Sequence, residues 1–405
     1  MQFPARDRGK PVARPRSVAV MKANAAESVL VNFVYCHPVG HAVEALQHCL
    51  GFRRADPSRR IGVVLKSNTA VDLAGLCPFI DEVYTVDVDV FAHVPRDWDW
   101  VLDDPRGRMD WQREIFPGLA SYYDRAAQHF RAAREHLVVG APRPAYQPGH
   151  RLELELPAEA RAVAAERMPH SDGSPTIAVL PAGSDQRWMY PSLESWKRML
   201  SALARRHPDA RFCFVGKLVD DGRSTTGFSR EEFDELSAVV PTTGSAVDVP
   251  LAEQLAAVQR CDLLLSPHTG FAFAAMAVGT PWLALAGNKW AEYYFNPGVP
   301  FYSVLPDIDR FPCYVMLGND PEPVQDDGPR SPSMSAERIE ADLDELVAGA
   351  SRLLSGEADF DTAMTDHFAR IHRMFKGRTD LMYSVDNLHV RYLPETGHRA
   401  TEGAR

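Results

Sequence analysis

The residues of this chain best suited to chemistry lie between Ser266 and Gly287, SPHTGFAFAAMAVGTPWLALAG, where a polar turn separates two apolar runs. The strand CDLLLSP delivers the chain to His268, Thr269 and Gly270, a helix is expected from Phe271, and Gly279-Thr280-Pro281 ends it. The first N–H groups of a helix lack partners within it, and its macrodipole places about half a positive charge there, so such a turn suits an anion such as a diphosphate. Gly270 permits close backbone approach, Thr269 brings a hydroxyl and His268 a ring donor. A purely structural turn capped by Ser266 or Thr269 accounts for the same letters.

A second turn has comparable chemistry. In LPAGSDQRWMYPSLESW, Gly183 and Ser184 form a loop after an apolar strand, Arg187 and Trp188 precede Pro191, and a helix opens at Ser192. A guanidinium in that loop can hold two phosphate oxygens in one plane; the plainer reading is a surface ion pair. In GNKWAEYYFNPGVPFY, Lys289, Trp290, Tyr293 and Tyr294 either line a cleft and stack on a sugar or base, or pack within their own domain. Lys217, ending RFCFVGK, is a further donor-site candidate, with Asp220 or Asp221 placed to accept from a ribose hydroxyl; solvated strand ends explain all three equally well.

The elements that must position these residues alternate strand, turn and helix. SVLVNFVY ends in CHPVGH, the helical AVEALQHCLGF follows, and RIGVVLK is the next strand. Two more strands and a helical stretch at LASYYDRAAQHFRAAREHL complete a first domain over 28–149, after a mobile Arg- and Pro-rich tail at 1–27. Residues 150–175 read as a linker, and a second strand-helix series runs over 176–354. Buried strands alternating with helices imply an α/β fold of two doubly wound, Rossmann-like parallel-sheet domains, with ligands at the strands' carboxyl ends in the cleft between them. Residues 355–405 hold a helix with one apolar face (Phe360, Met364, Phe368, Ile371, Phe375) and a tail.

Composition narrows the function. The 405 residues are 45 % hydrophobic, enough for two cores, and the net charge of −10 argues against a nucleic-acid or anionic-lipid partner. Six scattered cysteines, without a C-x-x-C pair, point away from disulfides and structural zinc. No run reaches the ~18 apolar residues of a membrane span, so a cytoplasmic protein acting on small molecules, as monomer or homodimer, is expected.

The second domain resembles the donor domain of the ADP-heptose heptosyltransferases, glycosyltransferase family 9. The family's P-G…K-R-W-P loop corresponds to PAGSDQRWMYP, Pro181 to Pro191, and its D-T-G-x-x-H-x-A-A-A-x-G-x-P turn to HTGFAFAAMAVGTP, His268 to Pro281. The first domain is similar from its opening strand through the L-G-D loop to the pattern ending VYTVD, so the likeness runs from about Val29 to Leu354. It implies a GT-B fold and transfer of a sugar from a nucleotide donor without a metal ion or other cofactor. The departures are specific: the acidic residue of the L-G-D loop falls on His41, the Asp of D-T-G on His268, and the later His on Phe273.

Other GT-B enzymes that glycosylate small metabolites use a histidine in the first loop as general base, which the resemblance transfers to His41, with His37 in reserve. An imidazole of ordinary pKa about 6.5 takes a proton from a hydroxyl at neutral pH. The expectation is therefore direct displacement at the anomeric carbon, with Gly183, Ser184, Arg187, His268, Thr269 and Gly270 holding the diphosphate. UDP-sugar is the first expectation for the donor, ADP- or GDP-sugar the next, and the acceptor is a small polar natural-product or nucleoside intermediate rather than lipopolysaccharide. A nucleotide-sugar 2-epimerase of the same scaffold and a non-catalytic nucleotide-sugar-binding protein are the alternatives.

Overall fold

In the computed structural model, residues 27–34, 39–86, 91–103, 117–133, 135–138, 145–168, 173–184, 186–219, 225–288, 292–313 and 321–393 are described. The first domain runs β1 (Val29–Asn32), α1 (Val39–Ala55), β2 (Ile61–Lys66), β3 (Glu82–Val86), β4 (Trp100–Asp103), α2 (Pro117–His129) and β5 (Glu135–Val138). Its strands pair in parallel in the order β3-β2-β1-β4-β5. The second domain comprises α3 (Ala158–Arg167), β6 (Thr176–Val179), α4 (Leu193–Arg206), β7 (Arg211–Gly216), α5 (Arg230–Val239), β8 (Thr242–Val247), α6 (Leu251–Gln259), β9 (Leu263–Pro267), α7 (Gly270–Ala277), β10 (Trp282–Leu285) and β11 (Phe301–Val304). These strands too are parallel, ordered β11-β10-β9-β6-β7-β8. A short hairpin of β12 (Val324–Gln325) and β13 (Pro329–Arg330) precedes α8 (Ala336–Ala341), α9 (Leu343–Leu354) and α10 (Phe360–Met374).

Both sheets are doubly wound, as the alternation of apolar runs and helices requires. Every residue of β1, β6, β9 and β10 is buried, because helices cover both faces of each sheet. Local chemistry sets the helix starts: the Ser192 hydroxyl accepts from the Ser195 N–H to cap α4, and Ser229 with Glu232 forms a reciprocal capping box on α5. Strand order reverses between β1 and β4 and between β6 and β9, so each domain has a switch point at its carboxyl edge.

Three local differences from the sequence reading have physical reasons. Glu135–Val138, taken as the tail of a long helix, is edge strand β5, paired with β4 from Trp100 to Asp103. Thr242–Val247, which the sequence reading did not assign as a strand, is edge strand β8, which docks on β7 through a register shift at Phe212/Cys213. In both, pairing with a formed strand overrides weak local propensity. Residues 150–157 are fastened rather than slack: Leu152, Leu154 and Leu156 are buried while their neighbours are exposed, and the Leu154 N–H donates to Ala277 O at 3.0 Å. The Asn296 side chain exchanges two hydrogen bonds of 2.8 Å with the Leu152 backbone.

The domains share one apolar core. Leu46 of α1, Leu154, Phe273 of α7 and Phe368 of α10 belong to a single buried cluster, with further cores behind each sheet. Almost all of α1 is buried, including Glu44, Gln47 and His48. The C-terminal segment crosses this helix: Tyr383 Oη donates to Glu44 Oε1 at 3.0 Å, Asp386 Oδ1 lies 3.7 Å from His48 Nδ1, and the Val385 N–H donates to Tyr293 O at 2.9 Å. Among the described residues no helix is long and apolar enough to cross a membrane.

Candidate functional site

The helices that follow the two switch-point strands β1 and β9 begin against each other. A β-carbon on Gly270 would stand 2.2 Å from Gly40 N and 3.0 Å from Gly40 Cα, and one on Gly40 would meet the Phe273 ring at 3.0 Å and Gly270 Cα at 3.1 Å. At Gly270 only glycine allows backbones to approach this closely. At this point the lobes are therefore in contact, where the sequence suggested open space. The contact also brings two positive dipole ends together. Neither α1 nor α7 carries an acidic residue in its first turn, a feature they share with α2. Partial positive charge from both helix starts therefore gathers at the junction, with the Gly40 backbone standing directly before the start of α7.

The turn before α7 is built as a cradle. Thr269 is the N-cap, its hydroxyl accepting from the Ala272 N–H at 3.3 Å, which leaves the hydroxyl proton available to a ligand. Ser266 plays no capping part, since it sits in β9 and accepts from Trp282 Nε1 at 3.0 Å. Because β6 and β9 are neighbours, the β6 loop lies alongside: a β-carbon on Gly183 would be 3.1 Å from Thr269 Cγ2. Asn288 Nδ2 donates to His268 O at 3.1 Å and fixes the backbone of the turn. Gly183, His268, Thr269 and Gly270, widely separated in sequence, thus share one locality, with Gly40 brought in from the other domain.

The remaining described candidates are His41 on the first domain and Ser184, Arg187, Lys217, Tyr293 and Tyr294 on the second. His41 follows Gly40 in the first turn of α1 and is part-exposed. Ser184 is exposed beside Gly183. Arg187 donates to Pro191 O at 3.0 Å, pairs with Glu232 at 3.4 Å and stacks on Phe228 at 3.5 Å from the ring centroid. Burial lowers its pKa, opposed by Glu232. All these partners belong to its own domain, and Arg330 Nη1 braces the same loop by donating to Arg187 O and Tyr190 O at 3.0 and 2.7 Å. Lys217 directly follows β7, its carbonyl accepting from the Thr226 N–H at 2.7 Å. Tyr294 is fully buried against Phe273, whereas Tyr293 packs between His268 and Tyr383, with ring centroids 5.4 and 5.7 Å away. His37, Asp220, Asp221, Lys289 and Trp290 lie outside the described residues.

Sequence reasoning passed over the groups behind the turn. Glu292 is buried with one oxygen 3.9 Å from His268 Nδ1 and the other accepting from Ser303 Oγ at 2.5 Å. Burial works against its charge, but His268, His367 and Ser303 together hold its carboxyl below the usual range. An isolated acid inside the aromatic run WAEYYF was the available signal. In the first domain, the ends of β1 and β4 carry a second polar group: Asn32 Nδ2 donates to Asp103 Oδ1 at 2.8 Å, and Tyr122 Oη donates to Asn32 Oδ1 at 2.9 Å. Among the described residues no cluster of three or more His, Cys, Asp or Glu is arranged to hold a metal.

No family model and no curated protein matches this sequence. Solved structures match its architecture. A glycosyltransferase family 9 structure from Veillonella parvula DSM 2008 superposes with a TM-score of 0.50 at 16 % identity, over 81 % of this chain and 99 % of that one. The E. coli ADP-heptose LPS heptosyltransferase II gives a TM-score of 0.45 at 13 % identity, over 80 % and 99 %. A structure from Listeria monocytogenes assigned as a UDP-N-acetylglucosamine 2-epimerase gives 0.39 at 12 % identity, over 87 % and 98 %. The chain has the GT-B fold of the family 9 structure, in two facing Rossmann-like domains.

Proposed function

We propose that this protein is a glycosyltransferase that moves a sugar from a nucleoside-diphosphate sugar to a hydroxyl of a small polar acceptor, such as a natural-product or nucleoside intermediate. The observation that carries this reading is the Thr269-capped start of α7 at the carboxyl edge of β9, with the Gly183 loop of the neighbouring strand β6 beside it and the start of α1 from the other domain against it. A diphosphate is the group such a junction suits, because it needs N–H donors and positive potential together. Because the Gly40 backbone covers the start of α7, this reading requires the lobes to part before a diphosphate reaches it. UDP-sugar is the first donor to test, then ADP- and GDP-sugars.

In this reaction the acceptor oxygen forms a bond to the anomeric carbon as the bond from that carbon to the diphosphate oxygen breaks. His41, on the first-domain side of the junction, takes the acceptor proton. Thr269 and the α7 amides, with His268, Gly183 and Ser184, stabilise the charge that grows on the departing diphosphate. Arg187 acts through the loop that it braces with Glu232 and Phe228. The potential of two helix ends does the work that a metal ion does in other transferases, so the reading calls on none. It fits a cytoplasmic enzyme working as monomer or homodimer.

The test is a panel of nucleotide sugars incubated with and without candidate acceptors, reading released nucleoside diphosphate. Release only with acceptor is the expected result. Release without acceptor, with an epimerised sugar, supports the 2-epimerase instead; binding with no turnover across the panel supports a non-catalytic nucleotide-sugar-binding protein.

A further inference from the structure

His268 is the one part of the cradle whose chemistry depends on a group behind it. Its Nδ1 is buried with no hydrogen-bond partner, as is Glu292 Oε1, and the two atoms face each other across 3.9 Å. The His268 side chain is 9 % exposed, and Nδ1 is not the exposed atom. Phe273, Trp282 and Tyr293 surround the ring at centroid distances of 5.2, 6.2 and 5.4 Å, an environment of aromatic faces and edges that tolerates a cation.

Resting on the reading of the site given above, we propose that Glu292 is a positioning residue whose carboxylate accepts a hydrogen bond from His268 Nδ1–H, so that the ring, protonated on both nitrogens, binds the diphosphate through Nε2–H as an imidazolium and nucleotide binding takes up a proton from solvent.

The other charged and titratable groups around Glu292 do not serve in place of His268. His367 of α10 is packed among Phe295, Phe301 and Phe368, and burial pushes its pKa down to about 4, so it is neutral near pH 7. Arg370, on the same helix, is committed to Ser303 O at 2.8 Å and to Glu345. Burial pushes the Cys313 thiol up to about 11, so it carries no charge. Ser303 of β11 donates a hydrogen bond but no charge. His268 is therefore the group that turns the buried carboxylate into a pair when a second negative charge, the diphosphate, arrives on its far side.

Isothermal titration of the full chain with UDP, ADP, GDP and inorganic pyrophosphate, in buffers of different ionisation enthalpy from pH 6 to 8.5, tests this. The expected result is proton uptake on binding and affinity that falls at least tenfold from pH 6 to pH 8.5. In Glu292→Gln the uptake and the pH dependence shrink while neutral-pH affinity falls about tenfold, and in His268→Gln both disappear. Imidazole nitrogen NMR of wild-type protein labelled in histidine, with and without the tightest binder, keeps the proposal testable should the variants fold poorly: both His268 nitrogens carry protons in the bound state. Binding with no proton uptake, with an unchanged pH profile in Glu292→Gln, or with a neutral His268 ring overturns this inference and leaves the transferase reading standing. No binding of any of the four by the wild type overturns both.

Discussion

Gly40 and Gly270, 230 positions apart, touch backbone to backbone: a β-carbon on Gly270 would lie 2.2 Å from Gly40 N. The two residues stand at the starts of helices from different domains, so this contact is one of those that hold the lobes together and brings two helix-dipole ends to one place.

Gly270→Ala must therefore push the domains apart. Its β-carbon meets rigid backbone on all sides, an overpacking that costs about 1–3 kcal/mol, whereas Gly40→Ala meets first the edge of the Phe273 ring at 3.0 Å, which can tilt. Denaturant unfolding is expected to rank Gly270→Ala below Gly40→Ala in stability, and small-angle scattering to show a larger radius of gyration for Gly270→Ala alone.

Arg187 is held by three different interactions, with Glu232, with Pro191 O and with the Phe228 face. Lysine cannot stack and fork at once. Arg187→Lys is expected to lose about 1–2 kcal/mol of stability, as is typical for a partly buried charged hydrogen bond with a cation–π contact, and to raise KM for the donor through a slackened loop while kcat stays within about twofold. A normal melting curve and an unchanged KM would show that the loop holds itself.

Much of the fold was written in short-range pattern: the buried strands β1, β6, β9 and β10 are continuous apolar runs, and the turn at His268–Gly270 shows its strand, cap and glycine in order. Strands β5 and β8 were not, because EHLV and TTGSAV become strands only by pairing with a neighbour. The same limit hid the centre of the site. Nothing local in Val39-Gly40 tells that Gly270 will rest on it, and nothing around Glu292 tells that its carboxylate will end 3.9 Å from a ring 24 residues earlier. Arg187 was legible as an arginine in a site loop, yet its partners Glu232 and Phe228 come from α5 and the segment before it.

Buried His367 makes acid a denaturant for this protein. Its pKa is about 4 in the folded chain, lowered first by burial, against about 6.5 unfolded, so the unfolded chain binds the extra proton between those values. The contribution is fully present above pH 6.5 and is lost as pH falls toward 4, a difference of about 3 kcal/mol by linkage. His367→Phe is expected to flatten the stability profile between pH 6.5 and 4 in urea titrations. A variant with the wild-type slope would assign the acid sensitivity to other groups.

His41 carries the base assignment. His41→Ala is expected to lower kcat by about 10²- to 10⁴-fold, the usual range for a lost general base, with affinity for UDP or the preferred nucleoside diphosphate unchanged within about twofold. Equal loss of both would make His41 a binding residue.

The most direct measurement is a crystal structure with the nucleoside diphosphate that binds best. The account predicts the diphosphate on the N–H groups that open α7, flanked by Thr269 and Gly183, with the α1 start at Gly40 facing it. A diphosphate bound elsewhere, with the α7 start still covered by Gly40, would contradict it.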